Sequence, residues 1–321
     1  MTEKTPRILL TGATGFVGSA VLQRIVADQH CDLTVAVRKS IAVADAVRVV
    51  QVADLTVQTD WSEALQGVDV VIHAAARVHV MNETSTDPLA EFRKVNVDGT
   101  LALARQAVAL GVKRFVFVSS IKVNGEGTES GAPYTADMPA QPSDPYGVSK
   151  YEAEQALLAL AQDTGLEVVI VRPVLVYGPG VKANFQSMMK WVSRGVPLPL
   201  GAIHNKRSLV ALDNLVDLIL TCVEHPAAVN QVFLASDGND LSTTQMLQQL
   251  GVALDKPARL LPIPMSWLNA AFTLLGKASF SQRLCGSLQV DITKNQQLLG
   301  WIPPIAVKDA MRKTAQAYLK K

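Results

Sequence analysis

Ile8-Leu9-Leu10-Thr11-Gly12-Ala13-Thr14-Gly15-Phe16-Val17-Gly18 decides the reading of this 321-residue chain. An apolar, strand-forming run passes directly into three glycines spaced three apart, and helical periodicity follows. Strand, tight turn and helix in that order form the setting in which a glycine-rich loop cradles a dinucleotide. Gly12 permits the turn, Gly15 lets the backbone approach a pyrophosphate, and Gly18 lets the helix press on the strand. The pyrophosphate would rest on the free N–H groups and positive dipole end of that helix. Thr14, Phe16 and Val17 complete the candidate cofactor loop.

Downstream, apolar β-rich runs alternate with helical periodicity, the signature of a parallel sheet with crossover helices. Strands are expected at 7–10, 33–37, 48–52, 68–73, 114–119 and 167–171, with further ones near 209 and 232–234. Runs such as Val70-Val71-Ile72 and Phe115-Val116-Phe117-Val118 are continuously apolar, as in strands buried on both faces. Helices are expected at 16–28, 90–110, 146–164, 185–193, 214–224, 243–250 and 307–318. The fold class is therefore α/β: a Rossmann-type doubly wound parallel sheet with a smaller, partly discontinuous C-terminal α/β substrate lobe. Residues 1–172 plus about 207–234 are assigned to the dinucleotide domain. The substrate lobe takes about 173–206 plus 235–321. Segments 125–144 and 178–206, rich in Gly, Pro and polar residues, are expected as loops over the sheet edge, where ligands sit.

Composition narrows the function classes. A chain 49% hydrophobic and 18% charged suits a globular enzyme rather than a disordered protein. Its net charge of +2 gives no electrostatic reason to expect nucleic acid or an acidic membrane as partner. Cys31, Cys222 and Cys285 are scattered and odd in number, which suits buried thiols in a reducing compartment. The polar start and the lack of any apolar run of about 18 residues predict a cytoplasmic protein without a signal peptide or integral membrane segment. No metal site is expected. The stretch 265–275 carries Trp267, Leu268, Ala271, Phe272 and Leu275 on one helical face, expected to pack on the substrate lobe rather than attach to a membrane surface.

About 20 residues beyond the glycines, where an acidic residue usually meets the ribose 2′-OH of NAD, the chain reads Val37-Arg38-Lys39. Two cations suit a 2′-phosphate, so NADP(H) is favoured and NAD(H) remains possible. Asp54 and Leu55 are candidates for the adenine edge. Catalytic chemistry falls on Pro145-Tyr146-Gly147-Val148-Ser149-Lys150. Residues four apart on a helix share one face, and a fixed ammonium favours phenolate over phenol. Tyr146 can then move a proton on or off an alcohol, and the Ser119-Ser120 pair at a strand end supplies a hydroxyl.

Together these residues resemble the extended short-chain dehydrogenase/reductase family, the NAD(P)-dependent epimerase/dehydratase group, from Arg7 to about Pro304. Further marks are His73-Ala74-Ala75-Ala76, Asn96 within Val95-Asn96-Val97-Asp98-Gly99-Thr100, Arg172-Pro173 before Val176-Tyr177-Gly178-Pro179-Gly180, Arg207-Ser208-Leu209-Val210 with Asp213, and Leu299-Gly300-Trp301-Ile302-Pro303. The C-terminal half is similar to bacterial nucleotide-sugar enzymes of surface-polysaccharide synthesis, the UDP-glucose 4-epimerase-like proteins and UDP-N-acetylquinovosamine dehydrogenases. The resemblance implies Ser120, Tyr146 and Lys150 as the catalytic set, with Ala74, Ala75, Ala76, Asn96, Ser119 and Pro173 beside the cofactor. It implies Arg207 as a diphosphate contact, with Lys122, Asn184, Leu200 and Arg283 as weaker substrate candidates. It also implies a homodimer through helices 90–110 and 146–164.

A 4,6-dehydratase of this family carries an Asp-Glu pair after the catalytic hydroxyl; Ile121-Lys122 stands there, so dehydration is disfavoured. Reductase and epimerase share one catalytic set. Arg38-Lys39, and Asn124 where epimerases typically carry tyrosine, tip the expectation to a reductase of a UDP-linked 4-keto sugar. The alternative is a UDP-hexose 4-epimerase. An NADPH-dependent reductase of non-nucleotide ketones and a non-catalytic dinucleotide sensor are further alternatives.

Overall fold

Successive residues of a strand point to opposite faces of its sheet, and here each strand feeds two separate apolar cores. A computed structural model describes residues 5–29, 31–78, 86–129, 131–274 and 284–320. The strands are β1 (Arg7–Thr11), β2 (Asp32–Val37), β3 (Val47–Gln51), β4 (Val70–His73) and β5 (Arg114–Val118). After them come β6 (Glu167–Pro173), β7 (Leu175–Tyr177), β8 (Leu209–Ala211) and β9 (Val232–Ala235). Ile8, Leu10, Val35, Ile72, Val116 and Val169 join the core on one face, under α1 (Phe16–Asp28). Leu9, Ala36, Val71, Phe117 and Ile170 join the core on the other. Both faces are covered, which is why the strand sequences are continuously apolar.

Seven strands run parallel in the order β3-β2-β1-β4-β5-β6-β9, and β7 pairs in parallel with β8 in a small second sheet. The strand order reverses between β1 and β4, and such a switch point opens a crevice at the carboxyl ends of the strands. This is the doubly wound α/β architecture expected from the sequence.

The expected helix at 90–110 is three pieces. α2 (Ser62–Leu65) precedes α3 (Pro88–Arg93), a π-helical turn covers Lys94–Gly99, and α4 (Thr100–Ala109) completes the rod. Wide turns of this kind often mark functional positions. Here the Asn96 amide accepts from Arg77 N at 2.8 Å and donates to Arg77 O at 3.0 Å, holding the chain that follows β4. Helical periodicity is nearly blind to one extra residue in a turn, so the sequence reads as a continuous helix.

α5 (Pro145–Thr164) begins at Asp144, whose carboxylate accepts from Gly147 N at 2.6 Å, and ends at the left-handed Gly165. α6 (Ala183–Ser193) and α7 (Leu212–Glu224) flank the small sheet. Arg114 at the start of β5 donates to the carbonyls of Cys222 at 3.0 Å and Val223 at 2.8 Å, capping the end of α7. α8 (Thr243–Ala253), α9 (Met265–Leu274), α10 (Thr293–Leu299) and α11 (Val307–Leu319) follow. A third core gathers Tyr177, Phe185, Met189, Leu200, Leu247 and Met311 from this C-terminal part.

On α9 the expected packing face divides. Leu268 is buried in the third core, whereas Trp267 is 72% exposed. The side chains of Ala271 and Phe272, and Leu275 itself, lie outside the described residues. Among the described residues no helix is long and apolar enough to cross a membrane.

Candidate active site

The glycine loop is built around contacts that admit no side chain. Gly12 takes φ +75°, and a Cβ there would lie 2.6 Å from Ala75 N. A Cβ on Gly18 would lie 2.2 Å from Gly12 O, so the helix sits directly on the turn. Gly15 occupies the cap position of α1, which has no side-chain cap and no acidic residue in its first turn. The N–H groups of that turn are left for an anion. Thr14 and Gly15 are exposed at the mouth, Phe16 packs against the third core, and Val17 against the sheet core. These features fit a dinucleotide pyrophosphate.

His73 fastens the crevice floor. Its Nδ1 is 2.7 Å from Thr11 Oγ1 and its Nε2 is 3.0 Å from Thr100 Oγ1. Burial, with Lys150 nearby, lowers its pKa to about 3, so the ring is neutral. Sequence reasoning took His73 as a family mark without a role. Ala74, Ala75 and Ala76 follow it, half-buried, with Ala74 and Ala75 against Gly12. Asn96 is buried and also donates to Ser149 Oγ at 3.0 Å, tying the cofactor side to α5.

At the far end of the cofactor groove, Arg38 Nη1 donates to Asp54 Oδ1 at 2.9 Å, with side chains 75% and 74% exposed. Lys39 is exposed, and Leu55 packs against Gly99, where a Cβ would approach its Cγ to 2.7 Å. The two cations read as a 2′-phosphate clamp thus include one already paired with a carboxylate.

The proposed catalytic residues meet where α5 crosses the end of β5. The Ser120 hydroxyl is hydrogen-bonded to the Tyr146 phenol, and Ser120 Oγ accepts from Lys122 N at 3.3 Å. Lys150 is 1% exposed; its Nζ donates to Val118 O at 2.8 Å and lies 3.8 Å from the Phe117 ring centroid. Burial lowers the Lys150 pKa to about 7, opposed by Glu154. Burial and the Asp144 charge push the Tyr146 phenol up to about 12, against the Ser120 hydrogen bond. In the protein alone, burial therefore outweighs the support for phenolate that a nearby ammonium gives. A bound nicotinamide would supply the hydride acceptor and, when oxidised, a further positive charge.

The weaker substrate candidates divide. Lys122 Nζ donates to Asp144 at 2.5 Å and Glu126 at 2.6 Å, so it buttresses the start of α5. Against burial, those two carboxylates hold its pKa above the ordinary value. The Leu200 side chain lies in the third core, and its carbonyl accepts from Thr244 at 2.7 Å. Asn184 is exposed in the first turn of α6. Pro173 is buried at the end of β6, paired with Ala235. Arg207 donates to Gly286 O at 3.0 Å, and burial lowers its pKa. Arg283 lies outside the described residues.

Beneath the hydroxyls lies a buried group that sequence reasoning missed. Glu154 is fully buried; it accepts from Ser119 Oγ and from Arg172 at Nε (3.0 Å) and Nη2 (2.5 Å). Arg172 Nη1 donates to Asn124 Oδ1 at 3.0 Å. The signal was present: Glu154 stands four residues beyond Lys150, hence on its face of the helix.

A glycine loop suited to a dinucleotide pyrophosphate, beside a Ser-Tyr-Lys set whose lysine is buried, defines a dinucleotide-dependent enzyme of the short-chain dehydrogenase/reductase type. The chain belongs to the NAD dependent epimerase/dehydratase family, whose model matches residues 8–235. It is 50% identical, over 99% of its length and 97% of the relative's, to a UDP-glucose 4-epimerase of Vibrio cholerae. It is 27% identical, over 96% and 94% of the two chains, to the N-acetyl-alpha-D-glucosaminyl-diphospho-ditrans,octacis-undecaprenol 4-epimerase of Escherichia coli O157:H7. A UDP-glucuronic acid 4-epimerase from Bacillus cereus, solved in complex with NAD, shares its fold: TM-score 0.78, 19% identity, covering 98% of this chain and 99% of that one.

Proposed function

We propose that this protein is a UDP-hexose 4-epimerase using NAD(H). The similarity of half of all residues, end to end, to a UDP-glucose 4-epimerase carries the reading. It moves the balance from the 4-keto reductase expected from the sequence to the alternative weighed with it. Both sequence arguments for a reductase weaken in three dimensions. Arg38 already has a carboxylate partner in Asp54, so it no longer singles out NADP, and Asn124 accepts from Arg172.

In this mechanism Tyr146 takes the proton of the C4 hydroxyl as hydride leaves C4, and Ser120 donates to the same oxygen. Lys150 supports the phenolate and the ribose next to the reacting ring. The 4-keto sugar turns over in the pocket, hydride returns to its other face, and Tyr146 gives the proton back. Arg207 holds the diphosphate during that rotation.

The test incubates purified protein with UDP-glucose or UDP-GlcNAc without added reductant. Interconversion with the C4 epimer and no net cofactor change supports the proposal. Stoichiometric NADPH oxidation with UDP-4-keto-6-deoxy-GlcNAc, and no epimerisation, overturns it for the reductase. A second reading replaces UDP by a polyprenyl diphosphate, as in the Escherichia coli relative's name, and is favoured by exposed Trp267 and Leu274 on α9. Epimerisation of the lipid-linked sugar alone would select it.

A further inference from the structure

Three successive turns of α5 grip three successive residues at the end of β5. Tyr146 meets the Ser120 hydroxyl, Lys150 holds the Val118 carbonyl, and Glu154 takes the Ser119 hydroxyl. Tyr146 and Lys150 are accounted for by the chemistry proposed above. Glu154 is not, although it is the most deeply buried of the three charged or polar groups.

We propose that Glu154 is a positioning residue, whose carboxylate sets the register in which Tyr146 meets Ser120 and supplies the counter-charge under Lys150. The inference rests on the catalytic reading of Tyr146 and Lys150. Its own support is geometric. Arg172 from β6 engages both carboxylate oxygens, and Ser119, the residue after β5, donates to one of them, so the carboxylate cannot turn away. Arg172 also holds Asn124, whose Nδ2 donates to Thr135 O at 3.2 Å. One carboxylate thus ties the helix bearing Tyr146 to the strand end bearing Ser120 and to the chain that follows it.

The charges around Lys150 come from three directions. On its own helix stand Glu154 and the neutral Tyr146; from β4 comes neutral His73; from β6 comes Arg172, held on Glu154. Glu154 therefore opposes the loss of the Lys150 proton that burial favours. A purely structural buried ion pair has little advantage over apolar residues of the same size. A role at the reacting centre gives the pair a function.

The test compares Glu154→Gln with wild type and Tyr146→Phe, reading NAD content, KM, kcat across pH, and thermal stability. Glutamine keeps the shape and removes the charge, leaving Arg172 to repel the Lys150 proton. The expected result is unchanged NAD content, KM within about threefold, and kcat down roughly 10- to 100-fold, a fraction of a full acid–base contribution. The acid limb of the kcat profile should also move up by about one pH unit, as loss of the Lys150 charge raises the Tyr146 pKa. Glu154→Asp should recover part of the rate. The double variant E154M/R172M leaves no buried unpaired charge and replaces the single variant if that fails to fold. A displaced acid limb in a stable double variant supports the proposal. Wild-type kcat and pH profile in either variant, or a loss visible only in melting temperature, overturns it. An active Tyr146→Phe would instead sink the catalytic reading beneath it.

Discussion

In the proposed mechanism Tyr146 carries the proton, and burial works against its ionisation. Tyr146→Phe removes the proton carrier while keeping the ring's edge contact with Phe92, so turnover should fall by about 10³-fold or more with NAD still bound. Steady-state epimerisation and nucleotide content of the purified variant read the two separately. His73 gives a prediction in pH. Its folded-state pKa of about 3 lies below the ordinary 6.5, so the unfolded chain takes up a proton that the folded one refuses. The stability this residue contributes is complete above about pH 6.5 and is lost as pH falls toward about 3. His73→Asn should lower stability at pH 7.5 through lost hydrogen bonds, by about 1–3 kcal/mol. It should also flatten the decline between pH 7.5 and 5, as urea unfolding at each pH would show.

At the scale of elements, the glycine loop shows how close approach replaces side-chain chemistry. Gly18→Ala forces a methyl to 2.2 Å from the Gly12 carbonyl, which the turn cannot admit without opening. NAD affinity should drop at least tenfold in titration calorimetry, a loss of about 1.4 kcal/mol or more. This element was fully legible, because strand, turn and helix are encoded within a dozen consecutive residues. The rod at 88–109 was legible in outline only: apolar spacing announces a helix but not the wide turn at Lys94–Gly99 that Asn96 and Leu55 exploit. Lys122 failed for a related reason. Its neighbours in sequence suggest a cation beside the catalytic hydroxyl, whereas Asp144, 22 residues on, claims it.

At the scale of the molecule, Asp237 joins the large sheet to the small one. It follows β9 and accepts from Tyr177 OH at 2.9 Å, Ala211 N at 2.8 Å and Asn214 Nδ2 at 2.7 Å. Asn214 in turn accepts from Ile305 N at 2.8 Å, near the start of α11. Asp237→Ala strands several donors in a partly buried seam and should cost about 2–3 kcal/mol in urea unfolding.

The sequence by itself determined the parallel doubly wound sheet, the strand, tight turn and helix of the glycine loop, and the shared helix face of Tyr146 and Lys150. Each is written in short-range spacing that the backbone converts directly into direction. The tertiary structure alone decided which charges are free to act. Arg38 goes to Asp54, Lys122 to Asp144, Leu200 to the interior, and Glu154 to Arg172 beneath the hydroxyls. Those pairings join residues on different elements, and a charge takes its meaning from the nearest opposite charge in space, which sequence order does not reveal.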